Sequence, residues 1–194
     1  MSDWFESYGF AEVFPELIIG AYPLDPDDVN ALAFHGVRRV LNLVQDAEYR
    51  AGQRDQVEAA LARRGIEEVR LSIVDFGHLP ADALDRAVGT VVGWMDECVR
   101  SYVHCRAGWQ RSAAVAAGAV AVFNDVDIST SLAWVRRQKP SANPLPHQRA
   151  DLFEWWLSHG RQQAAAHRIT DALAEMSPDA LAEISPDALA ARSA

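Results

Sequence analysis

Lysine is almost missing from this sequence: Lys139 stands alone in 194 residues, and the other basic residues are arginines. Basic residues number 18 against 27 acids, a net charge of −9. No basic stripe with interleaved aromatics exists, which argues against nucleic acid as a partner. Cysteine is scarce too. Cys98 and Cys105 are the only two, too few for a disulfide framework, and no Cys/His spacing suits a zinc site. Apolar runs are short: the densest, residues 113–123, has the length of one helix, below the roughly 18 residues of a membrane span. The first residues (Asp3, Trp4, Phe5, Glu6) are acidic and aromatic, the opposite of a secretory signal's basic start. A reduced, cytoplasmic setting is the expectation, with no membrane partner.

Apolar residues make up 49% of the chain and charged residues 23%, enough for a sizeable core and one compact domain. The acid is unevenly placed. Residues 1–37 hold seven acids and no Lys or Arg, and the remaining 157 residues carry 20 acids against 18 bases. One short segment, Ser101 to Ser112, has arginines and no acid. A small anionic ligand therefore remains open.

Hydrophobic spacing and turn residues mark the elements. Strands are expected at residues 16–19, 40–44, 69–74 and 102–103. Asp25 suits a helix cap, Pro26 its first turn and Gly36 its stop. Further helices are expected over 55–64, from Pro80 through Val99, over 112–123, 128–138 and 146–159. Strands alternating with helices, then helices alone, indicate an α/β fold with a mainly parallel central sheet flanked by helices. Past Gly160, Asp-Ala-Leu-Ala recurs every eight residues from Asp171, Asp179 and Asp187. The organisation expected is a domain over 5–160 and an Ala-rich tail over 161–194, helical or mobile.

The chemistry concentrates in Cys105, Arg106, Ala107, Gly108, Trp109, Gln110, Arg111 and Ser112, between an expected strand and an expected helix. Open α/β sheets bind ligands at the carboxyl ends of their strands. A loop closing onto a helix N-terminus aims backbone N–H groups at an anion, and the helix dipole adds positive potential. Gly108 allows the tight turn. Arg111 offers a planar fork for two phosphate oxygens. The same field favours the Cys105 thiolate, the nucleophilic form, and Ser112 is placed to donate to its sulfur. Residues 106–111 are thus the expected phosphate cradle.

His104-Cys105-x-x-Gly108-x-x-Arg111-Ser112 resembles the signature of cysteine-dependent protein tyrosine and dual-specificity phosphatases. The likeness runs from about Leu17 to Trp156, through residues 17–24, 37–43 and 70–75. Several of these segments, with residues 103–108, resemble the branch containing the phosphatidylglycerophosphate phosphatase. Trp109 and Gln110 depart from that branch, where basic and small residues stand. The resemblance implies a dual-specificity-phosphatase-like fold and hydrolysis of a phosphomonoester through a phosphocysteine, without metal or organic cofactor. The substrate expected is a phosphorylated protein or small phosphomonoester, and tyrosine-directed activity leads. A phospholipid or inositol phosphate phosphatase is the alternative enzyme, and a phosphate-binding pseudophosphatase the alternative of another class.

The family mechanism also implies a general acid on a separate loop. Asp75, followed by Phe76, Gly77 and His78, is the choice, with Gly77 giving the loop freedom; Asp82 and Asp85 fall inside the expected helix. His104 reads as structural, Cys98 as a buried helix residue or a redox partner of Cys105, and His78 as a loop residue that contacts substrate or solvent. Residues 139–144 read as a turn supporting the loop.

Overall fold

The computed structural model describes residues 1–174. Five strands form one mixed sheet in the order β1-β2-β5-β3-β4: β1 (Phe10–Phe14), β2 (Leu17–Ala21), β3 (Arg39–Asn42), β4 (Glu67–Arg70) and β5 (Ser101–Cys105). All neighbours run parallel except β1, which turns back along β2 as an antiparallel edge. The sheet is covered on both faces, as parallel strands require. Alternation shows it directly. Ile18, Val40 and Tyr102 face one core with α2 (Pro26–Phe34) and α3 (Gln53–Arg63). Ile19, Leu41 and Val103 face the other, with α4 (Ala81–Asp96) and α5 (Arg111–Asn124).

Local chemistry accounts for most boundaries. The Asp25 carboxylate caps α2 by accepting from the N–H groups of Asp27 and Asp28, satisfying donors that a helix start leaves open. From Arg111 to Val122 every residue of α5 is buried, and its run of Ala and Gly lets neighbouring helices approach closely. The spacing over 128–138 corresponds to α6 (Ile128–Gln138), and Pro146 opens α7 (Pro146–Trp155).

Three expectations need correction. The strand read at 69–74 pairs only over Glu67–Arg70; beyond it, Leu71 and Ile73 still donate to Asn42 and Leu43 while Val74 lies 57% exposed. The apolar residues after 70 therefore lead the chain off the edge toward the sheet's carboxyl end. The long helix stops at Asp96, short of Val99, because Cys98 takes a left-handed turn with φ 53°. A short helix, α1 (Asp3–Tyr8), and strand β1 precede the first expected strand. Ser2 caps α1, accepting from Phe5 N–H, and is tied by two hydrogen bonds to buried Asp28.

After a π turn at Trp156–Gly160, α8 (Arg161–Ala174) packs on α5, with Ala164 fully buried. His167 lies between Asp96 (Nε2 to Oδ1, 2.7 Å) and Asp171 (Nδ1 to Oδ2, 3.5 Å). The Asp96 contact ties α8 to α4, and the Asp171 contact lies within α8. The later Asp-Ala-Leu-Ala repeats lie outside the described residues. Among those described, no helix is long and apolar enough to cross a membrane.

Candidate active site

The central strand β5 ends at Cys105, and the chain loops through residues 106–110 into the N-terminus of α5. Gly108 is required twice over: its φ is +73°, and a Cβ there would meet the backbone of Gly20 at 2.5 Å. Any side chain would push the loop off β2. Two further bonds fix the loop from outside, Tyr22 N–H to Arg106 O at 3.2 Å and Asn143 N–H to Trp109 O at 2.6 Å. The turn at residues 139–144 thus lies against the loop. Its Lys139 is 5% exposed and donates to the Tyr8 carbonyl at 2.7 Å.

Cys105 is buried, with Ser112 Oγ 3.3 Å from its sulfur. Burial works to push this thiol up. Against it act the Arg111 guanidinium, the Ser112 hydroxyl and the N–H groups of Ser112 and Gln110, which together hold it below the ordinary thiol value. A thiolate at the floor of a cleft is a nucleophile. His104 contributes no charge to it: burial and the nearby arginines push its imidazole down to about 3.

Arg111 is fully buried, and its partners define which of its donors face the loop. Glu48 takes one N–H from each terminal nitrogen, at 2.8 Å and 2.8 Å. Nη1 also donates to Ile73 O at 2.7 Å, while Nη2 lies 2.9 Å from Asp75 Oδ1. Nε, also buried, has no protein partner. The Nη2–Nε edge therefore offers one unpaired donor and one held by an exchangeable carboxylate, a site that fits a phosphate oxygen pair. Sequence reasoning missed Glu48. Its signal is faint, one of two acids in a short 3-10 turn (Asp46–Glu48) after β3, and only the fold brings it to a residue 63 positions away.

Asp75, Cys105, Arg106, Ala107, Trp109 and Gln110 line one cleft of about 300 Å³. Asp82 and Asp85 do not reach it. Its aromatic walls are Phe76, Trp109 and two residues the sequence had not singled out, Trp4 and Tyr8 of α1. Tyr8 lies 5.1 Å from Trp109 and 4.2 Å from Trp4, centroid to centroid; Trp4 Nε1 donates to Arg106 O at 3.1 Å. The loop carrying Asp75 is docked on the start of α7. Gly77, expected to give that loop freedom, has its carbonyl held by Gln148 at 3.0 Å and by His147 at 3.1 Å. His78 turns away from the cleft to Asp151, 2.9 Å distant.

Cys98 differs from its reading. It is exposed and lies before β5, whereas Cys105 ends that strand. At about 3.3 Å per residue the strand alone separates them by more than the roughly 7 Å a disulfide spans. They cannot pair in this fold.

No family model matches the chain. Over 118 residues, 59% of its length, it is 31% identical to the Homo sapiens phosphatidylglycerophosphatase and protein-tyrosine phosphatase 1. It spans about half of that relative, 54%. Among solved structures it is similar to Tk-PTP in its active form, with TM-score 0.68 and 20% identity over 77% of this chain and 97% of that one. PTPMT1 gives TM-score 0.68 and 21% identity, over 84% and 99%. DUSP15 gives 0.66 and 18%, over 84% and 96%. At these identities the structural likenesses speak for the fold. By its sequence match and its architecture together, the chain resembles the cysteine-dependent protein tyrosine and dual-specificity phosphatases, with a likeness to the phosphatidylglycerophosphatase branch.

Proposed function

We propose that the protein hydrolyses phosphomonoesters through a phosphocysteine intermediate, and that its substrates are phosphoproteins, phosphotyrosine first. The observation that carries this reading is the depressed Cys105 thiol beneath an arginine edge with one orphaned donor. Cys105 Sγ attacks phosphorus while Arg111 and the amides of residues 106–111 hold the non-bridging oxygens. The phosphorus–oxygen ester bond breaks, and the leaving oxygen takes a proton from the Asp75 carboxyl. Water then attacks phosphorus, giving its proton back to Asp75. The sulfur–phosphorus bond breaks, inorganic phosphate leaves, and the thiolate is restored with Ser112 donating to it. These steps use no metal or organic cofactor. A free thiolate needs reducing surroundings, consistent with a cytoplasmic location.

The aromatic walls support a flat phenyl leaving group, since ring stacking adds about 0.5–1.5 kcal/mol beyond burial. The relative named a phosphatidylglycerophosphatase favours a second reading, a phospholipid substrate. The acidic α1 at the rim weighs against an anionic bilayer. Cys105→Ser tests the mechanism: turnover of p-nitrophenyl phosphate should vanish while inorganic phosphate still binds. Chelators should leave the unmodified protein fully active. Substantial turnover by the variant would overturn the proposal.

A further inference from the structure

Toward the end of the sheet where β5 begins, three side chains able to ligate a metal meet from two helices. Asp96 is the last residue of α4, ahead of β5, whereas Cys105 is the residue on which β5 ends. Against Asp96 stand His167 and Asp171 of α8, one helical turn apart on the same face. The three bring one nitrogen or oxygen each within 4.8 Å of one another. The mechanism proposed above uses none of them.

His167 gives the cluster its direction. The residue is 8% exposed, with the Phe123 ring 5.1 Å away, centroid to centroid. Its Nε2 lies 2.7 Å from Asp96 Oδ1, so the ring hydrogen sits on Nε2 and is donated to that carboxylate. Nδ1 then carries the lone pair, and it is buried without a hydrogen-bond partner. A buried polar atom left so costs free energy. What it faces is Asp171 Oδ2, 3.5 Å away, an acceptor that cannot satisfy it. Two acceptors facing each other call for a cation between them.

The separation suits a metal ion. A nitrogen and an oxygen, each about 2.0–2.2 Å from a tetrahedral zinc, stand roughly 3.3–3.5 Å apart. Asp96 supplies the outer carboxylate that takes a metal-bound histidine's other N–H, fixing its tautomer and ring orientation. Charge agrees with this. Among the described residues no Lys or Arg pairs with Asp96 or Asp171, and the neighbouring Arg168 is taken by Asp125 at 2.7 Å. Asp96 also stands at the negative end of α4, whose last turn holds no basic residue, where a cation is favoured. The Asp171 side chain is 63% exposed, which leaves the ion's other positions to water.

We propose that His167 Nδ1 and Asp171 Oδ2 bind a divalent ion of the zinc class, with Asp96 orienting the ring. Nitrogen beside oxygen selects zinc over magnesium and calcium, which take oxygen ligands. The ion spans one turn of α8 and, through the Asp96 bond, fastens that helix to α4. The site is separate from Cys105 and independent of the phosphatase reading.

The test is calorimetric titration with zinc of the full chain carrying Cys98→Ser and Cys105→Ser, which removes both thiols as competing ligands. His167→Ala and Asp171→Asn should each weaken zinc binding at least about 10-fold, and Asp96→Asn about 10- to 100-fold, the range for a ligand's outer partner. Magnesium should give no heat that depends on His167. Zinc should raise the Tm of the parent but not that of Asp171→Asn. Because Asp171 is exposed, its variant keeps the fold and decides the matter even where His167→Ala does not fold. Zinc affinity unchanged in Asp171→Asn or in Asp96→Asn overturns the proposal, and so does equal binding of zinc and magnesium.

Discussion

Asp75 Oδ1 lies 2.9 Å from Nη2 of Arg111, the same nitrogen that donates to Glu48 Oε2 at 2.8 Å. The carboxylate of the proposed acid thus occupies a donor that the proposed phosphate oxygens would also use. Under the proposed mechanism a phosphate at the loop is expected to displace this carboxylate, freeing Asp75 toward the leaving oxygen while its loop stays anchored to α7. Substrate binding and placement of the acid are then one event, because both groups compete for the same N–H.

Asp75→Asn should lower turnover of alkyl phosphates by about 100-fold or more, within the range general acids supply. Aryl phosphates with good leaving groups should lose far less, since their oxygen departs without a proton. Steady-state rates over a series of leaving groups measure this. A uniform loss across the series would deny Asp75 the acid's role.

Glu48→Gln should damage stability and catalysis together. Burial works to raise the Glu48 carboxyl, but Arg111 and the Gln45 N–H hold it below its ordinary value. A carboxyl depressed in the fold adds stability above its unfolded value of about 4.3, lost as pH falls through the lower folded value. The variant's Tm should therefore show a flatter acid limb than the parent's. At neutral pH it should lose the lower end of the roughly 3–5 kcal/mol that breaking a buried pair costs. Its kcat/KM should fall because Arg111 is no longer oriented.

Alkylation by iodoacetamide, in a Cys98→Ser background to remove the exposed thiol, reports the Cys105 thiolate. Half-maximal inactivation should come below the ordinary thiol value of about 8.5. Ser112→Ala should move it upward, since the Ser112 hydroxyl is among the groups that favour the thiolate. Inorganic phosphate should protect. An inflection at or above the ordinary value would contradict the electrostatics described above.

The aromatic walls give a substrate prediction. Trp4→Ala and Trp109→Ala should each lower kcat/KM for a phosphotyrosyl peptide about 2- to 13-fold, the equivalent of 0.5–1.5 kcal/mol of ring contact. A phosphoseryl peptide should be little affected. Equal losses on both substrates would assign these rings to packing alone.

Residues acting through near neighbours were legible without coordinates. Cys105, Gly108, Arg111 and Ser112 sit within one loop and helix start, so their spacing alone describes an anion cradle. Asp25, Pro26 and the small residues of α5 likewise encode their elements locally. Asp75 was reached through the family resemblance, and the fold places its carboxylate 2.9 Å from Arg111 although its strand ends earlier, at Arg70. What the sequence could not determine are the relations that cross the sheet order. Glu48 reaches Arg111 because β3 lies beside β5, although 63 positions separate them. Trp4 and Tyr8 become cleft walls only because β1 folds back on β2 and carries α1 to the mouth. Cys98, in the turn before β5, and Cys105, at the end of that strand, are kept apart by its extended length. Periodicity and capping are properties of neighbouring residues, whereas strand order and the groups it gathers follow from burying both faces of one sheet at once.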